Sequence, residues 1–335
     1  MTRLTTTIAT IALGIGSVMA SSSDSLATKP ADRLILNHLD VGLTLGTTGI
    51  GVELALPVTQ YLKVRTGAAF MPRFSVPLHF DMMTYGGENM TETSFDKAQD
   101  LLKSLTGYDV DQNVTIDGKP TMYTFKFLVD VYPFRNNKHW HFTAGFYLGN
   151  KKIAKAVNAI EESTTMVSVG MYNSLYDYFT SGRFIDEPLY GDYYIDPDVG
   201  DQMAAKFSNY GRMGVHMGNF KDGTPFYMEP GRDGTMRAEA VVNTFRPYLG
   251  FGYGGFLDKQ KKFAVALECG AMFWGGNPKI ITYNGVKENK DDPDYAVDLT
   301  RDVTGIKGKV GDYVSFAKAL KVLPVLNFRI TYNIF

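Results

Sequence analysis

The segment 322–335, with the sequence VLPVLNFRITYNIF, alternates bulky apolar side chains with small or polar ones. Successive side chains of a β-strand point to opposite faces, so this pattern predicts a strand with one apolar and one polar face. Leu326, Phe328 and Ile330 lie on the apolar face, and Arg329 lies on the polar face. Such a strand can either cover a soluble core or turn its apolar face towards lipid.

Seven further segments show the same period of two. They span residues 36–46, 50–57, 61–70, 121–132, 139–149, 242–256 and 263–273. Short and long connections alternate between the segments, and an even number of strands brings both ends of the chain to one rim of a barrel. The 22 phenylalanines, 20 tyrosines and 34 glycines suit strands, turns and aromatic belts. We therefore predict an all-β fold, an eight-stranded antiparallel up-and-down transmembrane β-barrel.

The first 20 residues have the pattern of a secretion signal. Arg3 precedes an apolar run over 8–19, and small residues follow near a cleavage position. The run is too short for a membrane-spanning helix, and no stretch of about 18 apolar residues occurs elsewhere. We expect a signal peptide over 1–20, a periplasmic N-terminal segment over 21–35 and a barrel over 36–335, located in the outer membrane.

The polar faces of the eight strands carry charges of both signs. The charged or titratable residues on these faces are Glu53, Lys63, Arg65, Lys126, Asp130, His141, Arg246, Glu268 and Arg329. A soluble barrel would hold its apolar face inside, whereas buried charges need partners of opposite sign. The interior of an eight-stranded barrel is just wide enough to be filled by side chains. We therefore expect a lumen charge network that plugs the barrel, with Gly250, Gly252 and Gly254 making room for it.

Three long connections, over about 72–120, 150–241 and 275–320, are expected to be large extracellular loops bearing short hairpins and helices. Turn signals predict hairpins at Asp117-Gly118, Asp222-Gly223 and Asn284-Gly285. Apolar residues at helical spacing predict helices over 94–105, 151–160 and 313–320. The longest loop is rich in tyrosine and acidic residues, which fits either a ligand or partner surface or a self-packed cap over the barrel.

No group of residues forms a known catalytic pattern. His139 and His141 share one strand face and could hold a metal, but no third ligand lies near them in the sequence. The single cysteine, Cys269, excludes an internal disulfide and lies in an alternating strand as a small apolar residue would. The net charge of −1 implies no nucleic-acid partner. We predict no enzymatic activity, no cofactor and no bound metal.

Several sequence motifs follow one another in the order of the predicted strands. They are VDVYPF (129–134), HFTAGFYLGN (141–150), RPYLGFGYGG (246–255), ECGAMFWGGNP (268–278) and LPVLNFRITYNIF (323–335). Together they resemble the strands of a large group of eight-stranded bacterial outer-membrane proteins, similar in architecture to the OmpA transmembrane domain and the CarO-type porin. The resemblance implies the same barrel fold and an outer-membrane location, and it assigns no catalytic or ligand-binding residue.

These features predict an integral outer-membrane protein with a side-chain-filled lumen that serves an envelope-structural or surface-presenting role. The alternatives are a narrow porin or uptake channel for a small solute, an outer-membrane lipid-modifying enzyme and a secreted soluble barrel. The expected partners are outer-membrane lipid and lipopolysaccharide, and the outer-membrane assembly machinery, which would bind the C-terminal strand ending at Phe335. The loops indicate no particular extracellular partner.

Overall fold

The structure is a computed structural model that describes residues 38–134, 137–159, 163–231, 233–283 and 295–334. The predicted signal peptide (1–20), the segment 21–35 and the terminal Phe335 lie outside these residues. Among the helices within the described ranges, none is both long and apolar enough to span a membrane.

The described chain is built mainly from β-strands. The strands are β1 (Asp40–Gly46), β2 (Gly49–Pro57), β3 (Leu62–Phe70), β4 (Val76–Tyr85), β5 (Asn113–Pro120), β6 (Tyr123–Val131), β7 (Trp140–Gly149), β8 (Lys152–Asn158), β9 (Arg212–Phe220), β10 (Pro225–Met228), β11 (Arg237–Val241), β12 (Phe245–Phe256), β13 (Phe263–Phe273), β14 (Lys279–Tyr283), β15 (Ala296–Asp298), β16 (Val303–Thr304) and β17 (Val322–Asn333). The helices are α1 (Ser94–Thr106), α2 (Ser163–Thr180), α3 (Pro197–Tyr210) and α4 (Gly308–Ala319), with a 3₁₀ turn at Arg183–Ile185.

Eight of these strands close into a barrel, and the predicted eight-stranded antiparallel barrel is confirmed. Around the barrel the order is β1, β2, β3, β6, β7, β12, β13 and β17, and β17 closes the circle by pairing Asn333 with Asp40 of β1. Every neighbouring pair is antiparallel, and the barrel strands pair in the order in which they occur along the chain. Burial alternates along the strands because the polar faces point inward and the apolar faces point outward.

The three long connections fold together into one second body, which we call the head (the described residues within 71–122, 150–244 and 274–321). Its strands form one sheet in the order β10, β9, β4, β5, β8, β11, β14 and β15, and β16 also pairs with β9. The head sheet continues the barrel wall. The amide of Gly149 in β7 donates to the Thr244 carbonyl of the head at 3.0 Å, and the amides of Met71, Thr121 and Val242 bond neighbouring strands just above this joint at 2.8–2.9 Å. The start of β1, the end of β17 and three short turns lie at the opposite rim.

A hydrophobic core of its own stabilises the head. Buried members come from all three connections, including Val114 of β5, Val169 of α2 and Val297 of β15. A loop that contributed only polar residues would not order in this way, because the burial of apolar area has to offset the entropy of fixing the chain. The head is therefore held by contacts between connections that are far apart in sequence.

Within the head, one predicted helix is wrong. The helix predicted over 151–160 does not form, and Lys152–Asn158 instead form β8, which pairs with β5 on one side and β11 on the other. The segment contains Ile153 and Val157, which suit a strand, and two neighbouring strands supply hydrogen bonds that a local helix cannot outcompete. Asp117-Gly118 likewise lies inside β5 and makes no turn.

The other local predictions have mixed outcomes. Asp222-Gly223 forms the β9–β10 hairpin, where Gly223 takes a φ of +90°. Asn284-Gly285 lies outside the described residues. Helix α1 matches the predicted helix over 94–105, whereas α4 begins at Gly308, before the predicted start at residue 313.

Candidate functional site: the barrel lumen

The lumen contains a compact cluster of ion pairs centred on Arg65. Its guanidinium contacts Asp130 at 2.7 Å (Nε to Oδ2) and 2.8 Å (Nη2 to Oδ1), Glu268 at 2.9 Å and Glu53 at 3.3 Å. Arg65 itself is fully buried. The strand pattern produces this geometry, because every second residue of β2, β3, β6 and β13 points to the barrel axis. One planar guanidinium with five N–H donors can therefore bind carboxylates from three strands.

Two more cations complete the cluster. Arg329 of β17 contacts Glu53 and Glu268, each at 3.1 Å, and Lys126 of β6 contacts Glu53 at 2.6 Å. Three carboxylates thus face three cations inside the wall. Since unpaired buried charges are costly, this balance is what allows the charged residues to occupy the interior. We call Glu53, Arg65, Lys126, Asp130, Glu268 and Arg329 the ion cluster.

The remaining predicted lumen residues lie at its edges. His141 is buried and its Nε2 lies 3.4 Å from Glu268. Lys63 does not join the cluster, and instead contacts Asp40 at 2.5 Å near the rim of the termini. Arg246 lies towards the head, where its Nε donates to the Asn243 carbonyl at 2.8 Å and its guanidinium carbon lies 5.3 Å from the Trp274 ring centroid.

The two histidines that share one strand face, His139 and His141, have different hydrogen-bond partners. His139 is exposed and its ring hydrogen-bonds to the Gly254 carbonyl, whereas His141 points into the lumen. Ligand atoms of Asp130, His141 and Glu268 lie within 4.8 Å of one another, an arrangement that could hold a metal ion. Both carboxylates are already occupied by Arg65, however, so the guanidinium supplies the positive charge that a cation would bring.

Apolar and aromatic side chains from the barrel and from the base of the head fill the end of the lumen above the ion cluster. The buried members are Met122, Leu128, Tyr147, Val242, Tyr248, Met272, Trp274 and Val325, and we call them the upper plug. The rings of Tyr147 and Tyr248 meet edge to face with centroids 5.4 Å apart. Strand alternation alone places these two tyrosines on the inward face, so the sequence was sufficient to predict that they enter the lumen. The charged residues on the same faces were the more obvious feature.

On the other side of the ion cluster, the lumen opens at the rim of the termini. A cavity of about 500 Å³ lies there, lined by Lys63, Tyr132 and Thr331 among others, and it ends at His141 and Arg329. The cavity therefore stops at the ion cluster. We call it the vestibule.

Glycines make room for the side chains that cross the lumen, and Gly252 gives a direct test. A Cβ at Gly252 would lie 2.4 Å from the His141 ring, which packs against Tyr132 and Glu268. We expect Gly252→Ala to lower the free energy of unfolding in lipid vesicles by about 1–3 kcal/mol, the usual result of overpacking. Gly276→Ala is the control, because nothing lies within 4 Å of its Cβ position. Unchanged stability in both variants would show that the His141 ring moves freely.

The head contains a second buried polar group, which the sequence did not indicate. The Glu229 carboxylate accepts hydrogen bonds from Arg212 (2.6 and 2.9 Å), Asn173 (3.0 Å) and the Tyr85 hydroxyl. Burial raises the pKa of Glu229 to about 8, whereas the guanidinium of Arg212 favours the carboxylate, and we take the ion pair as the native form. Asn173 also bonds the Met213 backbone, so the group fastens α2 to β9. We assign it a structural role.

Comparison with known proteins gives distant structural neighbours. No protein-family model and no curated protein matches the chain. Among solved structures, it is similar to CarO of Acinetobacter baumannii (13% identity, TM-score 0.37, covering 90% of this chain and 99% of that chain) and to CarO2 of the same organism (14%, 0.36, 89% and 99%). A major outer membrane protein from Thermus thermophilus is also similar (10%, 0.28, 88% and 98%). The fold of this chain is established by its own closed strand pairing.

Proposed function

We propose that this protein is an integral outer-membrane barrel that anchors the head at the cell surface. The outward faces of the barrel strands support the membrane location. They expose large apolar residues such as Leu43, Phe251 and Leu326, while the charges lie inside. In water this arrangement would be reversed, because exposed apolar area and buried ions both raise the free energy of the folded state.

Aromatic residues lie at both ends of the apolar band. Trp140 contacts Tyr253 and Phe263 contacts Tyr332 near the rim of the termini, each with ring centroids 5.0 Å apart. Phe70 lies near the head rim. Such girdles occur where a barrel wall meets the two membrane interfaces. Bacterial outer-membrane barrels keep short turns in the periplasm and long loops outside, so the head is assigned to the exterior.

The function of an anchor is supported most directly by the blocked lumen. The ion cluster and the upper plug occupy successive levels of the barrel interior, and Arg65, Tyr147 and Tyr248 are each at most 1% exposed. An eight-stranded barrel leaves little space beyond its own side chains. Steady ion flow would require several of these groups to move together.

The second candidate function is a narrow channel for a small solute. The vestibule favours it, because a cavity of about 500 Å³ reaches His141 and Arg329 from the rim of the termini. A solute would still have to pass the ion cluster and the upper plug. The anchor and the channel therefore differ in whether this barrier opens.

Planar-bilayer recording of the refolded full chain separates the two functions. We expect no steady single-channel conductance, because the lumen is closed by packed side chains. Protection of the barrel from added protease shows that the protein has inserted, and a general porin in the same bilayer serves as the positive control. Steady conductance from inserted protein would establish the channel and rule out the closed anchor. Release of the protein into detergent-free buffer would rule out both.

A further inference from the structure

A groove lies on the outer wall where the barrel joins the head. It has a volume of about 680 Å³ and lies beside the joint formed by Thr121 and Asn150. The side chains that define its chemistry are Phe70, Arg73, Tyr123, Lys151, Lys152 and Lys155. We propose that this groove binds a phosphorylated glycolipid of the outer leaflet, with phosphate on the basic residues and acyl chains on the aromatic ones. The inference rests on the proposed membrane location and on the external position of the head.

The basic side of the groove has an excess of positive charge. Lys152 pairs with Glu239 at 2.7 Å, and Glu239 also accepts a hydrogen bond from Tyr283. Arg73, Lys151 and Lys155 form no ion pair with any residue in the described ranges. Within the part of the chain that the structure describes, four cations therefore share one carboxylate. An anion that entered the groove would meet three uncompensated charges, and Arg73 could bind a phosphate through two N–H groups.

The excess of positive charge at the groove does not reflect the composition of the whole protein. The whole chain has 34 basic and 35 acidic residues. A cluster of four basic residues next to one acidic residue is therefore not a consequence of a generally basic protein. Lys155 also lies across from Lys119 in the β5–β8 pairing, and Lys119 is partnered by Asp117 at 3.3 Å. The wall above the groove thus continues with a paired charge.

The lower side of the groove belongs to the lipid-facing surface. Phe70 and Tyr123 are direct cross-strand partners of β3 and β6, and they are 56% and 61% exposed. They form the upper edge of the apolar band at the head rim. Cations placed directly above such an edge lie at the depth of lipid headgroups, where each basic residue adds about 1 kcal/mol of attraction to an anionic surface. This combination of an apolar floor and a basic rim favours a lipid over a free anion.

The test uses the full-length protein in detergent micelles and bisphosphorylated lipid A as the probe. Its dephosphorylated form and inorganic phosphate are the comparison probes. The variant is Arg73→Gln/Lys151→Gln/Lys155→Gln. The matched control is Lys97→Gln/Lys206→Gln/Lys318→Gln, which removes three exposed head cations away from the groove. We expect the groove variant to bind lipid A about 100-fold more weakly, because each basic residue near anionic lipid contributes roughly fivefold. The control variant should bind as the unchanged protein does.

Three results would overturn the proposal. These are equal binding of dephosphorylated lipid A, equal losses in the two triple variants, and saturation by inorganic phosphate with no added affinity for the lipid, which would identify a free-anion site. Insertion of the protein into vesicles is measured in parallel by protease protection. Normal insertion with any of the three results rejects the groove alone, whereas failure to insert rejects the membrane location itself.

Discussion

Replacing Arg65 with alanine is expected to lower the free energy of unfolding by about 3–5 kcal/mol, because buried carboxylates lose their main partner. Arg65 contacts Glu53, Asp130 and Glu268 at 2.7–3.3 Å and is fully buried. Arg329 contacts the same carboxylates and limits the loss. Urea titration of the refolded protein in phospholipid vesicles, followed by tryptophan fluorescence, measures the change.

Lys63→Ala is the matched control for this experiment. Lys63 lies two residues before Arg65 on the same inward face of β3, but it pairs with Asp40 at the rim, where its side chain is 22% exposed. Partly hydrated ion pairs contribute about 0–1 kcal/mol, so a small effect is expected. Arg65→Lys should give an intermediate loss, because lysine keeps the charge without the planar fork. If Arg65→Ala and Lys63→Ala cost the same, the ion cluster does not stabilise the barrel as proposed.

Phe207→Ala is expected to unfold the head while the barrel stays intact. Phe207 of α3 is fully buried, with its ring centroid 5.6 Å from Phe179 and 5.1 Å from Tyr172 of α2. Removal of a buried phenylalanine ring costs about 3–5 kcal/mol. The head core is separate from the upper plug. The cost therefore falls on the head. Limited proteolysis of reconstituted protein should cut the head connections of the variant rapidly.

Two further measurements make this result specific. Val199→Ala lies on the same helix, but Val199 is 50% exposed, so its proteolysis pattern should match that of the unchanged protein. The folded barrel of each variant is followed by its heat-dependent migration in detergent gels. Loss of the folded barrel form in Phe207→Ala would show that the head and the barrel unfold as one unit, contrary to this prediction.

The local sequence pattern was sufficient to predict the barrel strands, but it was not sufficient to predict the structure of the head. Segments such as 121–132 and 263–273 alternate, because a wall with an apolar outer face and a packed polar lumen imposes opposite demands on successive residues. In the head, successive residues of a strand do not face two such uniform environments. Residues 151–160 therefore resemble a helix locally, yet β8 forms because β5 and β11 approach on both sides. Long-range pairing of this kind leaves no periodic trace in the sequence.

Prediction of the lumen from the sequence succeeded and failed in the same way. Alternation placed Arg65, Lys126 and Glu268 on inward faces, but which charges meet depends on the stagger of the strands around the barrel. The structure brings these residues together with Glu53, whereas it directs Lys63 to the rim and Arg246 to the joint with the head.

Side-chain alternation along the chain was enough to predict that eight strands form a wall with an apolar exterior and a charged interior, because the position of each residue on a strand assigns its side chain to one face. Alternation did not predict that three separate connections form one head, that aromatic side chains close the lumen above the ion cluster, or that four basic residues surround one groove. These features arise from contacts between segments tens to hundreds of residues apart, and such contacts depend on barrel closure and strand register rather than on any local pattern.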